Sequence, residues 1–171
     1  MSKIIYYIID TSSLIELNFR YPIDIFPGLW ENVEKLISRG KLISPEEVRK
    51  EILVKDDTLR KWVSKQKNLF KPLTAEQIVI AREIINKYQS LAKSESETPA
   101  ADPFVIALAV ELGRPKQNGK LVQKELIPTM RIIVTEERLR GNRIRIPFVC
   151  QSYNINCINI LEMCRQEGWK F

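Results

Sequence analysis

The first strong pattern along the chain is an unbroken apolar run from Ile4 to Ile9, β-branched and aromatic, entered through Lys3. A run of that kind predicts a strand buried on both faces, as inside a parallel sheet. It stops at Asp10-Thr-Ser-Ser13, all good helix-capping residues, and Leu14-Ile-Glu-Leu17 then turns helical. Tyr21-Pro22 to Pro27-Gly28 is a loop. Leu29, Val33, Leu36 and Ile37 form one helical face that Gly40 ends. Lys41-Leu-Ile43 is a short strand, and Ser44-Pro45-Glu46-Glu47 reads as a helix start with cap, proline and early acids in favoured places.

Two further helices are predicted over Thr58–Asn68 and Thr74–Leu91, the second with a capping-box-like pair at Thr74 and Gln77. Ser94-Glu-Ser-Glu97 is a polar linker too short to divide domains. Pro99–Leu112 is an Ala-rich apolar helix closed by Gly113. The stretch 114–129 reads as an irregular loop or hairpin insert. Arg131-Ile-Ile-Val134 is a strand, and Thr135-Glu136-Glu137 caps the segment after it. A loop with four arginines then leads to a short helix or turn over Ile146–Tyr153, a strand over Ile155–Ile158 and a helix over Asn159–Glu167. Strands alternating with helices predict one α/β domain spanning residues 1–171, with a central parallel sheet.

Composition narrows the chemistry. The chain has 171 residues and a net charge of +6, but no histidine. That excludes Ser-His-Asp and Cys-His nucleophiles, His-ligated zinc and a histidine base. The three cysteines, Cys150, Cys157 and Cys164, are too few and too widely spaced for a disulfide framework or a zinc site, and are expected in the core. No apolar run approaches the roughly 18 residues of a membrane span, so a cytoplasmic protein is expected. Gly113-Arg-Pro-Lys-Gln-Asn-Gly119-Lys120 misses the phosphate-loop pattern by one residue of spacing and by Leu121.

In open parallel sheets, functional groups gather at the carboxyl ends of strands. That rule selects Asp10 after the first strand and Glu136 after the strand ending at Val134. It also selects Glu47 and Glu51 on one helix face and Asp102 in the first turn of the Ala-rich helix. Each also has an ordinary reading as a helix cap or solvated surface charge. Together they would be an unfavourable cluster without a cation, and hard oxygen donors suit Mg²⁺ or Mn²⁺.

Ile8-Ile-Asp10-Thr-Ser-Ser-Leu-Ile15 resembles the opening motif of PIN-domain nucleases, the VapC-type toxins among them. Ala100-Ala-Asp102-Pro-Phe-Val-Ile-Ala-Leu-Ala109 resembles that superfamily's acid-headed helix, and Ile133-Val-Thr135-Glu136 its late strand end. The closing stretch from Arg145 to Phe171 is similar to a bacterial PIN-like family of unassigned function. The resemblance implies a three-layer α/β/α sandwich and a Mg²⁺- or Mn²⁺-dependent endoribonuclease. Its catalytic and metal-binding acids would be Asp10, Glu51, Asp102 and Glu136, supported by Thr11, Thr135 and Glu47. Glu47 remains a rival to Glu51, and Glu137 to Glu136. Arg138, Arg140, Arg143 and Arg145 would grip RNA phosphates. The resemblance also implies an antitoxin partner and a homodimer. The alternative is a non-catalytic module that binds RNA or protein through a degenerate site.

Overall fold

The computed structural model describes residues 3–93, 100–114 and 129–171. Its elements run β1 (Ile4–Ile9), α1 (Thr11–Arg20), α2 (Pro27–Ser38), β2 (Leu42–Pro45), α3 (Glu46–Lys55), α4 (Asp57–Lys65), β3 (Phe70–Lys71) and α5 (Ala75–Lys87). A 3₁₀ turn at Gln89–Ala92 comes next, then α6 (Asp102–Leu112), β4 (Thr129–Val134), α7 (Ile146–Ser152), β5 (Asn156–Ile158) and α8 (Ile160–Gln166). The strands form one all-parallel sheet in the order β3-β2-β1-β4-β5. Helices cover both faces, giving a three-layer α/β/α sandwich. The expected linker at Ser94–Glu97 and the expected insert at 115–128 lie outside the described residues.

Strand order fixes where the chain changes direction. From β1 the connection leads to β2 on one side, whereas the chain later returns through β4 on β1's other side. The carboxyl ends of β1 and β4 therefore flank a topological switch point, where open α/β sheets form a crevice. Register aligns the two ends residue for residue, with Ile8 opposite Ile133 and Ile9 opposite Val134. The Asp10 amide extends that ladder to the Val134 carbonyl at 3.1 Å. Asp10 and Thr135 are thus neighbours by sheet geometry.

Burial sharpens toward the same edge. β1 and β4 both pass from an exposed first residue to three fully covered last ones. The expectation that the first strand is buried on both faces throughout holds only for its carboxyl half, since Ile4 is 38% exposed. Ile8, Ile9, Ile133 and Val134 are sealed between the helical layers, each side chain worth about 1.5–3 kcal/mol of burial. They are the rigid floor of the crevice above them.

Four local expectations change. Ser44 and Pro45 lie in β2 rather than opening a helix, because Ser44 pairs with Phe70 and Pro45 with Lys71. The Ser44 hydroxyl donates to the Ile9 carbonyl at 2.7 Å instead of capping α3. α5 ends at Lys87 rather than Leu91, where Tyr88 leaves the helix and sets its ring edge-on to Phe148, 6.3 Å away. The fourth helix starts from the Asp56 cap and stops at Lys65, so that Leu69 and Phe70 enter the sheet edge. Cys150 and Cys164 are core residues, as expected, and Cys157 is partly covered; all three are free thiols.

Candidate active site

Asp10 is both a helix cap and a buried carboxylate. Its Oδ1 accepts the Ser13 amide at 2.8 Å, closing the first turn of α1. The Ser12 hydroxyl lies 2.8 Å from both carboxylate oxygens, and the Thr135 hydroxyl donates to Oδ2 at 2.5 Å. Thr11 points to the neighbouring helix, where its hydroxyl donates to Glu51 Oε2. The polar run Asp10-Thr-Ser-Ser13 therefore serves both the helix start and the crevice.

A cavity of about 630 Å³ opens over this edge. Asp10, Glu51, Asp102 and Glu137 supply its carboxylates. Thr11, Ser12 and Ser90 supply hydroxyls, and Lys55, Lys93 and Arg145 stand on its walls. Glu51 reaches it because it sits one turn further along α3 than Glu47. Glu47 is buried, held by Lys50 at 3.3 Å on one oxygen, and is not among the lining residues. Its other oxygen is buried without a hydrogen-bond partner among the described residues.

The two late glutamates separate. Glu137 lines the cavity and also accepts the Ile146 amide at 3.0 Å, capping α7. Glu136 faces away: its carboxylate accepts the Ile160 amide at the start of α8 at 3.0 Å and lines two adjoining hollows. Glu136, assigned to the acid set by its place after the strand, is thus outside that set, and Glu137 stands there instead. Alternation past the strand end sends adjacent side chains to opposite sides, and nothing in two consecutive glutamates indicates which side holds the crevice.

Electrostatics marks the cluster as strained. Burial pushes Asp10 up to about 6, against the hydrogen bonds from Thr135, Ser13 and Ser12 that favour its charged form. The Glu137 charge raises it further. Asp102 is raised well above the usual carboxylate range, first by burial, then by the charges of Glu137, Asp10 and Glu51, with Lys55 opposing. Such mutual repulsion is relieved by a proton or by a cation. The donors are carboxylate and hydroxyl oxygens only, the set a hard divalent ion prefers. The residues fit such an ion in charge and donor type. Among the described residues, however, no three Asp, Glu or Cys side chains stand close enough together to form a ready-made ion site.

The arginine loop lies beside the cavity. Residues 138–145 are all exposed, and the loop turns at Gly141, whose φ of 55° suits glycine. Arg145 lines the cavity and lies 3.7 Å from Glu137. Arg138 reaches the adjoining hollow, while Arg140 and Arg143 project outward. Sequence reasoning missed Ser12, Lys55, Ser90 and Lys93. Only Lys55 had a signal, its i+4 spacing from Glu51 on a helix.

Among the described residues no helix is long and apolar enough to cross a membrane. No curated protein matches the chain. A family model described as a domain of unknown function, DUF4411, matches residues 7–171, from the core of β1 through α8 to the last residue. With nearly its whole length matched, including every residue of the cavity, the chain belongs to the DUF4411 family.

Proposed function

We propose that the protein is a metal-dependent ribonuclease whose reaction takes place in the acidic cavity at the β1–β4 switch point. The observation that carries this reading is the convergence of Asp10, Glu51, Asp102 and Glu137 on one cavity, with Asp10 and Asp102 raised by burial and mutual charge. Such an arrangement costs stability and is worth keeping where a function uses it. Asp10, Glu51, Asp102 and Glu137 would hold Mg²⁺ or Mn²⁺. When bound, the ion would supply Lewis-acid activation of a phosphodiester and of water.

The chain's own residues account for the rest. Ser12 and Thr135 fix the Asp10 carboxylate from two sides, and Thr11 fixes Glu51. Orienting hydrogen bonds of this kind raise the precision of an ion-binding set. Arg145 and the arginines before it offer a basic border to an RNA backbone. A toxin held inactive by an antitoxin, as a monomer or homodimer in the cytoplasm, is the finer form of this reading, resting on the PIN resemblance alone.

A second reading has its own observation. Among the described residues no three acids are gathered, and Lys55 and Arg145 already neutralise two of them, as suits a non-catalytic RNA-binding module. Cleavage decides between them. Purified protein with Mn²⁺ should cut mixed single-stranded RNA and lose all activity in EDTA. Asp10→Asn, Asp102→Asn and Glu137→Gln should each lose about a hundredfold or more, the scale of a lost electrostatic stabiliser, while Glu136→Gln should remain active. Cleavage that survives EDTA, or both Asp substitutions, refutes the nuclease. RNA binding without cleavage under every divalent ion establishes the binding module.

A further inference from the structure

Two cations on the cavity wall have partners whose geometry is informative. Lys55, at the end of α3, lies 3.1 Å from Glu51 Oε1, and Arg145, just before α7, lies 3.7 Å from Glu137 Oε1. In each pair the carboxylate is the covered partner and the cation the exposed one. The Glu51 and Glu137 side chains are 7% and 20% exposed, whereas those of Lys55 and Arg145 are both 46% exposed. The glutamates have fixed second attachments, Glu51 to the Thr11 hydroxyl and Glu137 to the Ile146 amide. Lys55 and Arg145 each make one ion pair among the described residues, and the Lys55 charge also acts on Asp102. The acids are therefore the anchored partners and the cations the exposed ones.

The cationic head of each pair is half-exposed, so water takes up part of what it loses when the pair separates. A divalent ion taking up the Glu51 and Glu137 oxygens would displace both heads while they remain on the cavity wall. Each would then be a half-exposed cation without its carboxylate counter-charge, beside the ion. The chemistry that satisfies such heads is an anion with oxygens spread over a few ångströms, a phosphodiester above all.

We propose that Lys55 and Arg145 are exchange residues: they hold Glu51 and Glu137 in the metal-free protein and pass to the substrate's phosphates when a divalent ion takes those carboxylates. This rests on the metal-nuclease reading and adds to it a rule, that cation and phosphate binding promote one another. Linkage makes the effect reciprocal. It also fixes an unusual sign for the substitutions. Loss of Lys55 should strengthen the hold on the metal, by removing a competitor for Glu51, while weakening the hold on RNA. A residue that merely supported the fold would weaken both or neither.

The test uses the full chain, Mn²⁺ measured by its electron paramagnetic resonance signal, and a labelled single-stranded oligoribonucleotide, with affinities read over the interval in which a gel shows it still uncut. In the wild type the oligonucleotide should raise Mn²⁺ affinity about tenfold, a coupling of ordinary allosteric size, and Mn²⁺ should raise oligonucleotide affinity equally. In Lys55→Met with Arg145→Met, Mn²⁺ alone should bind severalfold tighter and the coupling should fall to about onefold. Lys50→Met, which removes the same charge from the same helix but from the Glu47 pair outside the cavity, should leave the coupling intact. Mn²⁺ binding with unchanged coupling in the double variant, or equal loss in Lys50→Met, overturns the exchange and leaves the nuclease reading standing. Absence of Mn²⁺ binding in the wild type overturns both.

Discussion

One carboxylate, that of Asp10, both starts α1 and faces the acidic cavity. Its three donors, Ser12, Ser13 and Thr135, favour the charged form, yet burial outweighs them and lifts it to about 6 from 3.8. The sign of the pH effect depends on which state holds the proton more tightly. A raised acid binds its proton better in the folded chain, so folding is favoured at low pH and loses stability as pH rises from about 4 through about 6. At neutral pH without a divalent ion the full penalty applies, at most about 3 kcal/mol for a shift of that size. Asp10→Asn keeps an acceptor for the Ser13 amide and removes the buried charge. In EDTA at pH 7.5 it should raise Tm by a few degrees, an advantage that shrinks toward pH 4.5. Thermal unfolding across that range checks it. A variant less stable than wild type at both pH values would mean that the hydrogen bonds to the charged form outweigh burial.

At the scale of elements, α6 carries Asp102 and ends on a side-chain contact that sequence periodicity does not reveal. The Arg131 guanidinium, projecting from β4, donates to the Ala109 carbonyl at 3.2 Å near the helix's carboxyl end. A Cβ on Gly113 would stand 1.6 Å from Arg131 Nη1, so the glycine is there to admit the arginine rather than to turn the chain, its φ being −92°. A cation at that end also suits the helix dipole. Gly113→Ala should cost about 1 kcal/mol in the wild type, the worth of one hydrogen bond. In an Arg131→Ala background it should instead stabilise by about 0.4–1 kcal/mol, because alanine fits this ordinary φ and leaves the unfolded chain less freedom to lose. Denaturant unfolding of the four-variant cycle reads the sign change, and equal costs in both backgrounds would refute the contact. α2 was legible from its helical period, and β1 and α6 from unbroken apolar runs, because their burial is large and local. β3 was not, for a two-residue strand has no period and exists only because Ser44 and Pro45 offer it an edge. Of the cavity's carboxylates, Asp10 and Asp102 were legible from a strand end and a helix start, whereas Glu51 was separated from Glu47 only by the PIN resemblance. Glu136 against Glu137 turned on which helix terminus each caps, a tertiary fact with no local signal.

Across the whole molecule, a net charge of +6 coexists with a cavity lined by four carboxylates. The excess positive charge must therefore lie on other surfaces, and the arginine loop brings part of it beside the cavity. Arg138, Arg140 and Arg143 are exposed and, among the described residues, have no carboxylate partner, unlike Arg145. An acidic crevice with a basic border repels a polyanion at its centre and attracts it at its margin, so an RNA strand would be held by its backbone on the loop. Contacts to phosphates release counter-ions, and for single strands each is worth about 0.7 in the slope of log K against log salt. Replacing Arg138, Arg140 and Arg143 together by glutamine should therefore flatten that slope by about 2. It should also weaken binding alike for unrelated sequences, because phosphate contacts carry no base information. Titration of labelled single-stranded RNA in EDTA at several salt concentrations measures both quantities. An unchanged slope would leave the loop an ordinary solvated surface; a loss confined to one sequence would make it a reader of bases. A slope that flattens uniformly would make it the electrostatic margin along which the strand approaches the carboxylates at the β1–β4 edge.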